Sequence, residues 1–246
     1  MSLYFYYKES KLKKGASVNI HNFAHKLRNL IIENTTSTVI CDNNEFKSEC
    51  ESLCQEIYDY IKNDYKKEST VTIKLLKPWT DKADEDDILN TEVYDLCCAG
   101  IGYRANMVNN ISKVSDYTAF SDILLCRRNS LGVIKTTFAC SNLVMLKKTW
   151  KIMDKEEYKG TPHHYKSTVI VPIRVASNSS DIPKDECYKG YKTYGFICVD
   201  CKKTCSKDTK EKMVDYICSF ADYLCVYFAN AYDKNFYKSY LSLLNN

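Results

Sequence analysis

Glycine and proline are scarce in this chain, seven and four among 246 residues. That scarcity excludes a long flexible linker and any low-complexity spacer, and no internal repeat is visible. No stretch approaches the roughly 20 consecutive apolar residues that a membrane-spanning helix needs. The segment Met1–Lys14 has no apolar run and carries Lys8, Glu9, Lys11, Lys13 and Lys14, so it does not read as a secretory signal. A cytoplasmic location without membrane association is the expectation. A dominant charge of one sign is also missing. Lys and Arg number 35 against 31 Asp and Glu, a formal net charge of +4. Both signs are interspersed, and the basic runs Lys11–Lys14 and Lys202–Lys203 are short, so nothing forms the basic stripe that a nucleic-acid partner requires.

Strong catalytic signatures are absent too. There is no glycine-rich phosphate loop and no Gly-x-Ser-x-Gly elbow. Cys198, Cys201 and Cys205 are spaced C-x2-C-x3-C, and His163 and His164 could complete a zinc set. A second CxxC is missing, and Cys198 falls inside an expected strand, so a structural reading is preferred to a metal site. His21, His25 and Arg28 share one helix face but read as a polar surface, because Asn22 stands where a phosphoacceptor histidine is usually followed by an acid. The acidic stretch Asp81–Asp87 lacks the glycine and ligand spacing of a calcium loop and reads as a solvated loop.

What is present is a chain of ordinary globular composition, 45% hydrophobic and 27% charged. Its 13 cysteines fall below the density of a disulfide scaffold, and Cys50, Cys54, Cys218 and Cys225 lie on apolar helical stripes. Most are therefore expected as reduced, small core hydrophobes. Twenty tyrosines suit half-buried positions and interfaces, with Tyr223, Tyr227 and Tyr237 flanking the last helical stripe.

Periodicity then orders the chain. Ile20, Phe23, Ala24, Leu27, Leu30 and Ile31 keep helical spacing behind Ser17 as N-cap. Phe46, Cys50, Leu53, Cys54, Ile57 and Ile61 draw a second helix, with Asp42 and Glu45 spaced like a capping box. Val214, Ile217, Cys218, Ala221, Leu224, Cys225, Phe228, Ala229 and Tyr232 draw a long last one. Between them, Thr70–Leu76, Thr91–Cys98, Thr136–Leu146, Lys166–Ala176 and Tyr191–Asp200 read as extended. Tyr117–Leu125 reads as a short helix with Ser115 and Asp116 as capping candidates. Helices at both ends around antiparallel strands make an α+β class.

Two strings then carry a family resemblance. Tyr165-Lys-Ser-Thr-Val-Ile-Val-Pro-Ile173 resembles the strand in which GAF domains often carry Val-Pro-Ile. Gly195-Phe-Ile-Cys-Val-Asp200 resembles their next strand, Gly-x-Leu-x-Val-Asp, which leads into the final helix. Ser141-Asn142-Leu143 and Tyr117–Ile123 sit where bacterial GAF-like proteins carry related strings. The resemblance covers Glu45 to Tyr240 and implies a GAF-like domain over residues 45–246 behind an N-terminal helical extension over 1–44. It further implies a twisted antiparallel sheet with helices on one face and a ligand pocket on the other. The Asn-Lys-x-Asp-Glu string of cyclic-nucleotide-sensing members is absent, and so is a bilin-attachment cysteine context. Neither the ligand nor any cofactor is named by the residues.

The function implied is a small-molecule-binding sensor or regulatory module, not an enzyme, which signals through an output partner or through self-association. An interaction protein with a vestigial pocket is the alternative. A free methionine sulfoxide reductase working through Cys126 or Cys140 is a third reading. In the family the short helix and the loops before the last two strands close the pocket. Carried onto this chain, the ligand-binding set is Tyr117, Phe120, Ser121, Asp122, Phe138, Asn142, Tyr165 and Thr168. A homodimer through Phe23, Leu27, Leu30 and the Val214–Tyr232 helix is also implied.

Overall fold

The structure is a computed structural model, and it describes residues 43–77, 83–100, 111–129, 131–143, 165–176 and 189–232. The extension over 1–44, with His21, His25, Phe23, Leu27 and Leu30, lies outside the described residues save for its last two positions. So do His163, His164 and Tyr237.

Helix α1 (Asn43–Tyr65) is followed by strand β1 (Ser69–Leu76), the short helix α2 (Glu85–Leu89) and strand β2 (Glu92–Gly100). Strand β3 (Ile111–Lys113) passes through a 3₁₀ turn (Val114–Asp116) into α3 (Thr118–Leu124). Strands β4 (Phe138–Cys140), β5 (Ser167–Ala176) and β6 (Tyr191–Cys201) precede the last helix, α4 (Lys207–Tyr232). The strands form one six-stranded sheet in the order β3-β2-β1-β6-β5-β4, with every neighbouring pair antiparallel. This is the α+β class with flanking helices that the sequence implies.

Strand alternation sorts the two faces. Val71, Ile73, Leu96, Cys97, Val169, Val171, Ile197 and Val199 face α1 and α4, where they pack against Leu53, Ile57, Ile217, Phe220 and Leu224. Cys50, Cys54 and Cys225 are buried there as the small apolar residues expected, joined by Cys97, whereas Cys218 is only half-buried against the same cluster. The two helices meet through Tyr60 and Tyr216, whose rings stack at 3.5 Å. Tyr58, Tyr60, Tyr94, Tyr194 and Tyr216 are all buried, so much of the tyrosine excess fills the core. The opposite face carries a smaller cluster under α2 and α3, made of Ile88, Phe120, Ile123, Leu124, Ile170 and Phe196. No described helix is long and apolar enough to cross a membrane.

Gly195 shows why the strand motif carries glycine. It pairs with Leu75 on one side and Ile173 on the other. A Cβ added there would stand 2.0 Å from the Lys74 carbonyl oxygen, far inside van der Waals contact.

Three local expectations are corrected. The described part of the Asp81–Asp87 stretch is not a loop. The Asp84 carboxylate accepts the Asp87 N–H at 2.9 Å, and the Asp87 carboxylate accepts the Asp84 N–H at 3.2 Å. This reciprocal box starts α2, and burial of Ile88 holds it down. The acids therefore serve as a helix start, which sequence spacing alone had not distinguished from a solvated tip. Next, Asp116 caps the 3₁₀ turn, accepting the Lys113 N–H at 2.7 Å, while α3 starts at Tyr117 without a side-chain cap. Finally, within Thr136–Leu146 only Phe138–Cys140 pairs as a strand, and residues 144–146 lie outside the described set.

Candidate functional site

The face of the sheet opposite the two long helices is apolar at one end and polar along its centre. Register explains the pattern. Lys74 stands across from Asp95 on β2 and Phe196 on β6. One step down β1, Thr72 stands between Cys98 and Cys198, and below it Thr70 lies between Gly100 and Asp200. Asp200 in turn faces Thr168 on β5, which faces Cys140 on β4. The bulge between Ile73 and Lys74 lets Asp95, not Leu96, face Lys74. Thr70, Thr72, Lys74, Asp95, Cys98, Asp200 and Cys140 are all half-buried, in contrast to the fully buried apolar residues beside them.

Lys74 and Asp95 form a short ion pair, with side chains only 11% and 13% exposed. The Lys74 ammonium also lies 5.6 Å from the centre of the Tyr117 ring. Burial alone would pull this lysine toward neutrality, but Tyr117, Asp95 and Cys198 together outweigh it and hold the ammonium above the ordinary lysine value. Burial pushes the Asp200 carboxyl up to about 6, against the opposing effects of the Thr168 hydroxyl and Lys74. Thr168 donates to that carboxylate at 2.5 Å. Burial likewise pushes Tyr117 and Cys98 up to about 12 each, and raises Cys198. The thiols here are therefore neutral near pH 7. The site offers one fixed cation, two carboxylates, hydroxyl groups and an aromatic wall.

The eight residues expected at the site divide into four pairs. Tyr117 and Thr168 belong to the polar patch. Phe120 and Phe138 line its apolar end: Phe120 is 1% exposed and stacks on Phe196 at 4.3 Å, and Phe138 pairs across from Ile170. Ser121 and Asp122 are engaged elsewhere. The Ser121 hydroxyl donates to the carbonyls of Val114 and Tyr117, at 3.1 and 3.2 Å, and so fastens α3 to the turn before it. The buried Asp122 carboxylate pairs with Lys135 and, at 3.8 Å, with Arg127, tying α3 to the segment that follows. Asn142 and Tyr165 are half-buried beyond the paired ends of β4 and β5.

Periodicity and motif spacing do not single out Lys74, Asp95 or Asp200. The available signal is the alternation Thr70, Thr72, Lys74, which places three polar side chains on one face of a strand whose other face carries Val71, Ile73 and Leu75. In the sequence Asp200 stands only as the end of the Gly195–Asp200 string.

The cysteine triplet does not converge. Cys198 packs into the cluster beneath α3, while Cys201 belongs to the cluster beneath α1 and α4. Cys126 is buried, and burial holds the Cys140 thiol above its ordinary value, the reverse of what a nucleophile needs.

No protein-family model matches the chain, and no curated protein matches it. Solved structures similar to it include a GAF domain of nlh2 from A. aeolicus in an inactive state, at 11% identity over 87% of this chain and 98% of that one, with a TM-score of 0.47. The GAF domain of an Acinetobacter phosphoenolpyruvate-protein phosphotransferase is similar at 13% identity over 82% of this chain and 92% of that one, TM-score 0.42. A far-red cyanobacteriochrome photoreceptor is similar at 12% identity over 86% and 98%, TM-score 0.45.

Proposed function

We propose that this chain is a GAF-like sensor or regulatory module that binds a small molecule on the sheet face opposite its long helices. The observation that supports this most is the Lys74–Asp95 pair with Asp200 nearby. Charged groups at the middle of a sheet face are expensive to keep half-buried, and such groups gather where a ligand is held. Beside them the half-buried Tyr117 and Phe138 supply an aromatic wall, backed by the buried Phe120. A polar centre against an aromatic wall suits a small ligand with one charged or hydrogen-bonding end and one flat or apolar end.

In this reading the GAF-like domain runs over 45–246 and residues 1–44 are an added helical arm. The arm packs with α4 in a homodimer, and occupancy of the site is passed to an output protein in the cytoplasm, with no nucleic acid or membrane involved.

Native mass spectrometry of freshly purified protein tests the proposal by reporting a co-purified small molecule and the dimer together. Tyr117→Ala and Lys74→Met are expected to weaken the retained molecule by roughly ten- to hundred-fold, the equivalent of one or two lost polar or aromatic contacts. Asn142→Ala and Tyr165→Phe test the far end of the site on the same scale. Retention unchanged in all four variants, with the fold intact, would place the ligand elsewhere and defeat the proposal.

A further inference from the structure

The C-x3-C spacing left over from the sequence has its own geometry, on the other face of the sheet. Cys201 ends β6 and is 1% exposed, at the edge of the core under α1 and α4. The chain then turns through Lys202–Ser206, whose Lys202, Lys203, Thr204 and Ser206 are exposed, and brings the half-buried Cys205 back against that same core edge. The turn is pinned at three points. Lys202 donates its N–H to the Glu68 carbonyl at 3.0 Å, Cys205 donates its own to Ser141 at 3.1 Å, and the Ser167 hydroxyl donates to Lys203 at 2.8 Å.

So held, the Cys205 sulfur lies 3.1 Å from the Ser167 oxygen, and Ser167 stands directly across from Cys201 in the sheet, which brings the two thiols to one spot. Ser206 caps α4, accepting the Thr209 N–H at 3.1 Å, which leaves Cys205 at the positive end of a 26-residue helix. The Lys67 ammonium is close by, donating to the Thr204 carbonyl at 2.9 Å. The neighbouring Cys201 thiol, then the Ser167 hydroxyl and the charge of Lys67, hold the Cys205 thiol below its ordinary value, while the same neighbour and burial hold Cys201 above it. The other described half-buried thiols, Cys98, Cys140 and Cys218, are all pushed up by burial.

We propose that Cys205 and Cys201 are a peroxide-oxidisable pair, Cys205 the attacking residue and Cys201 the resolving one. The Cys205 thiolate attacks one oxygen of a peroxide. The S–O bond forms, the O–O bond breaks, and the peroxide's other oxygen leaves as hydroxide, or as alkoxide from an organic peroxide. Sulfur is oxidised by two electrons to the sulfenic acid. Cys201 then attacks that sulfur, an S–S bond of about 2.05 Å forms, and the sulfenic hydroxyl leaves with the Cys201 proton as water. A dithiol reductant reverses the step by exchange. The product is a staple between the end of β6 and the start of α4, and it does not depend on any ligand of the opposite face.

The test is hydrogen peroxide added to the full chain after removal of reductant, followed by alkylation and non-reducing peptide mapping over time. A disulfide joining Cys201 to Cys205 is expected to form about tenfold or more faster than Cys140 or Cys218 is oxidised, since the thiolate fraction outweighs the lower intrinsic nucleophilicity. Cys201→Ser, which keeps the hydrogen-bonding group, is expected to leave a sulfenic acid on Cys205 that a cyclic 1,3-dione traps. Cys205→Ser is expected to remove the fast step. The proposal is overturned if Cys205 in the wild-type protein is oxidised no faster than Cys140, or if it pairs with a different cysteine.

Discussion

Asp95→Ala separates a site built to hold charge from an ordinary surface ion pair. The Lys74 and Asp95 side chains are 11% and 13% exposed, so little water is available to replace either partner. Removing one member of a buried pair typically costs about 3–5 kcal/mol, because the survivor is left uncompensated. Here Asp200 also attracts Lys74 and softens the loss, which puts Asp95→Ala near the lower end, about 3 kcal/mol. Lys74→Met costs at least as much, since it leaves Asp95 and Asp200 repelling each other without a counter-charge. The double variant is expected to recover a large part, with a coupling of about 1–3 kcal/mol, as neighbouring groups in one network show. Urea unfolding of the four proteins measures the cycle. For a chain of this size, 3 kcal/mol corresponds to a fall of about 6–12 °C in Tm. A ligand assay on the double variant completes the argument: stability returns but binding does not. Single variants that each cost less than about 0.5 kcal/mol, with no coupling, would mean a solvent-screened pair, and the functional reading of this face would lose its support.

Two further outcomes follow from the same structure. Gly195→Ala forces a Cβ to 2.0 Å from the Lys74 carbonyl oxygen, a backbone atom in a paired strand that cannot step aside; overpacking of this kind typically costs about 1–3 kcal/mol or more. Thermal unfolding within 1 °C of wild type would refute that close approach. Asp200, with its folded value near 6 against an ordinary 3.8, binds a proton more readily folded than unfolded. Its contribution to stability is therefore greatest below about pH 4 and is lost as pH rises through 6, at most about 3 kcal/mol in all. Asp200→Asn is expected to gain on wild type over that interval in urea titrations at pH 4.5 and 7.5, and a constant difference between the two proteins would contradict the assignment.

Much of the architecture was legible in the residues because hydrophobic periodicity is a local property. The stripe from Val214 to Phe228 marks a helix wherever it packs, and the β-branched and aromatic runs around Val169 and Ile197 mark strands with two buried faces. Gly195 and the Val-Pro-Ile string pointed to the right pair of strands. The acidic stretch before Ile88 was harder, since a capping box and a solvated tip use the same residues, and only burial of Ile88 distinguishes them. The site was legible in part. Of the residues that the resemblance implied, Tyr117 and Thr168 lie at the polar patch, and Phe120 and Phe138 lie in or against the apolar cluster beside it. It could not show that Ser121 and Asp122 are consumed by α3 itself, because those bonds go to Val114, Lys135 and Arg127 in other segments. Nor could it assemble Lys74, Asp95 and Asp200, which are up to 126 positions apart in the chain but lie on three adjacent strands. Alternation along each strand fixes which side chains share a face. Register between strands, with a one-residue bulge at Ile73, decides which of them meet, and register is a property of the folded sheet.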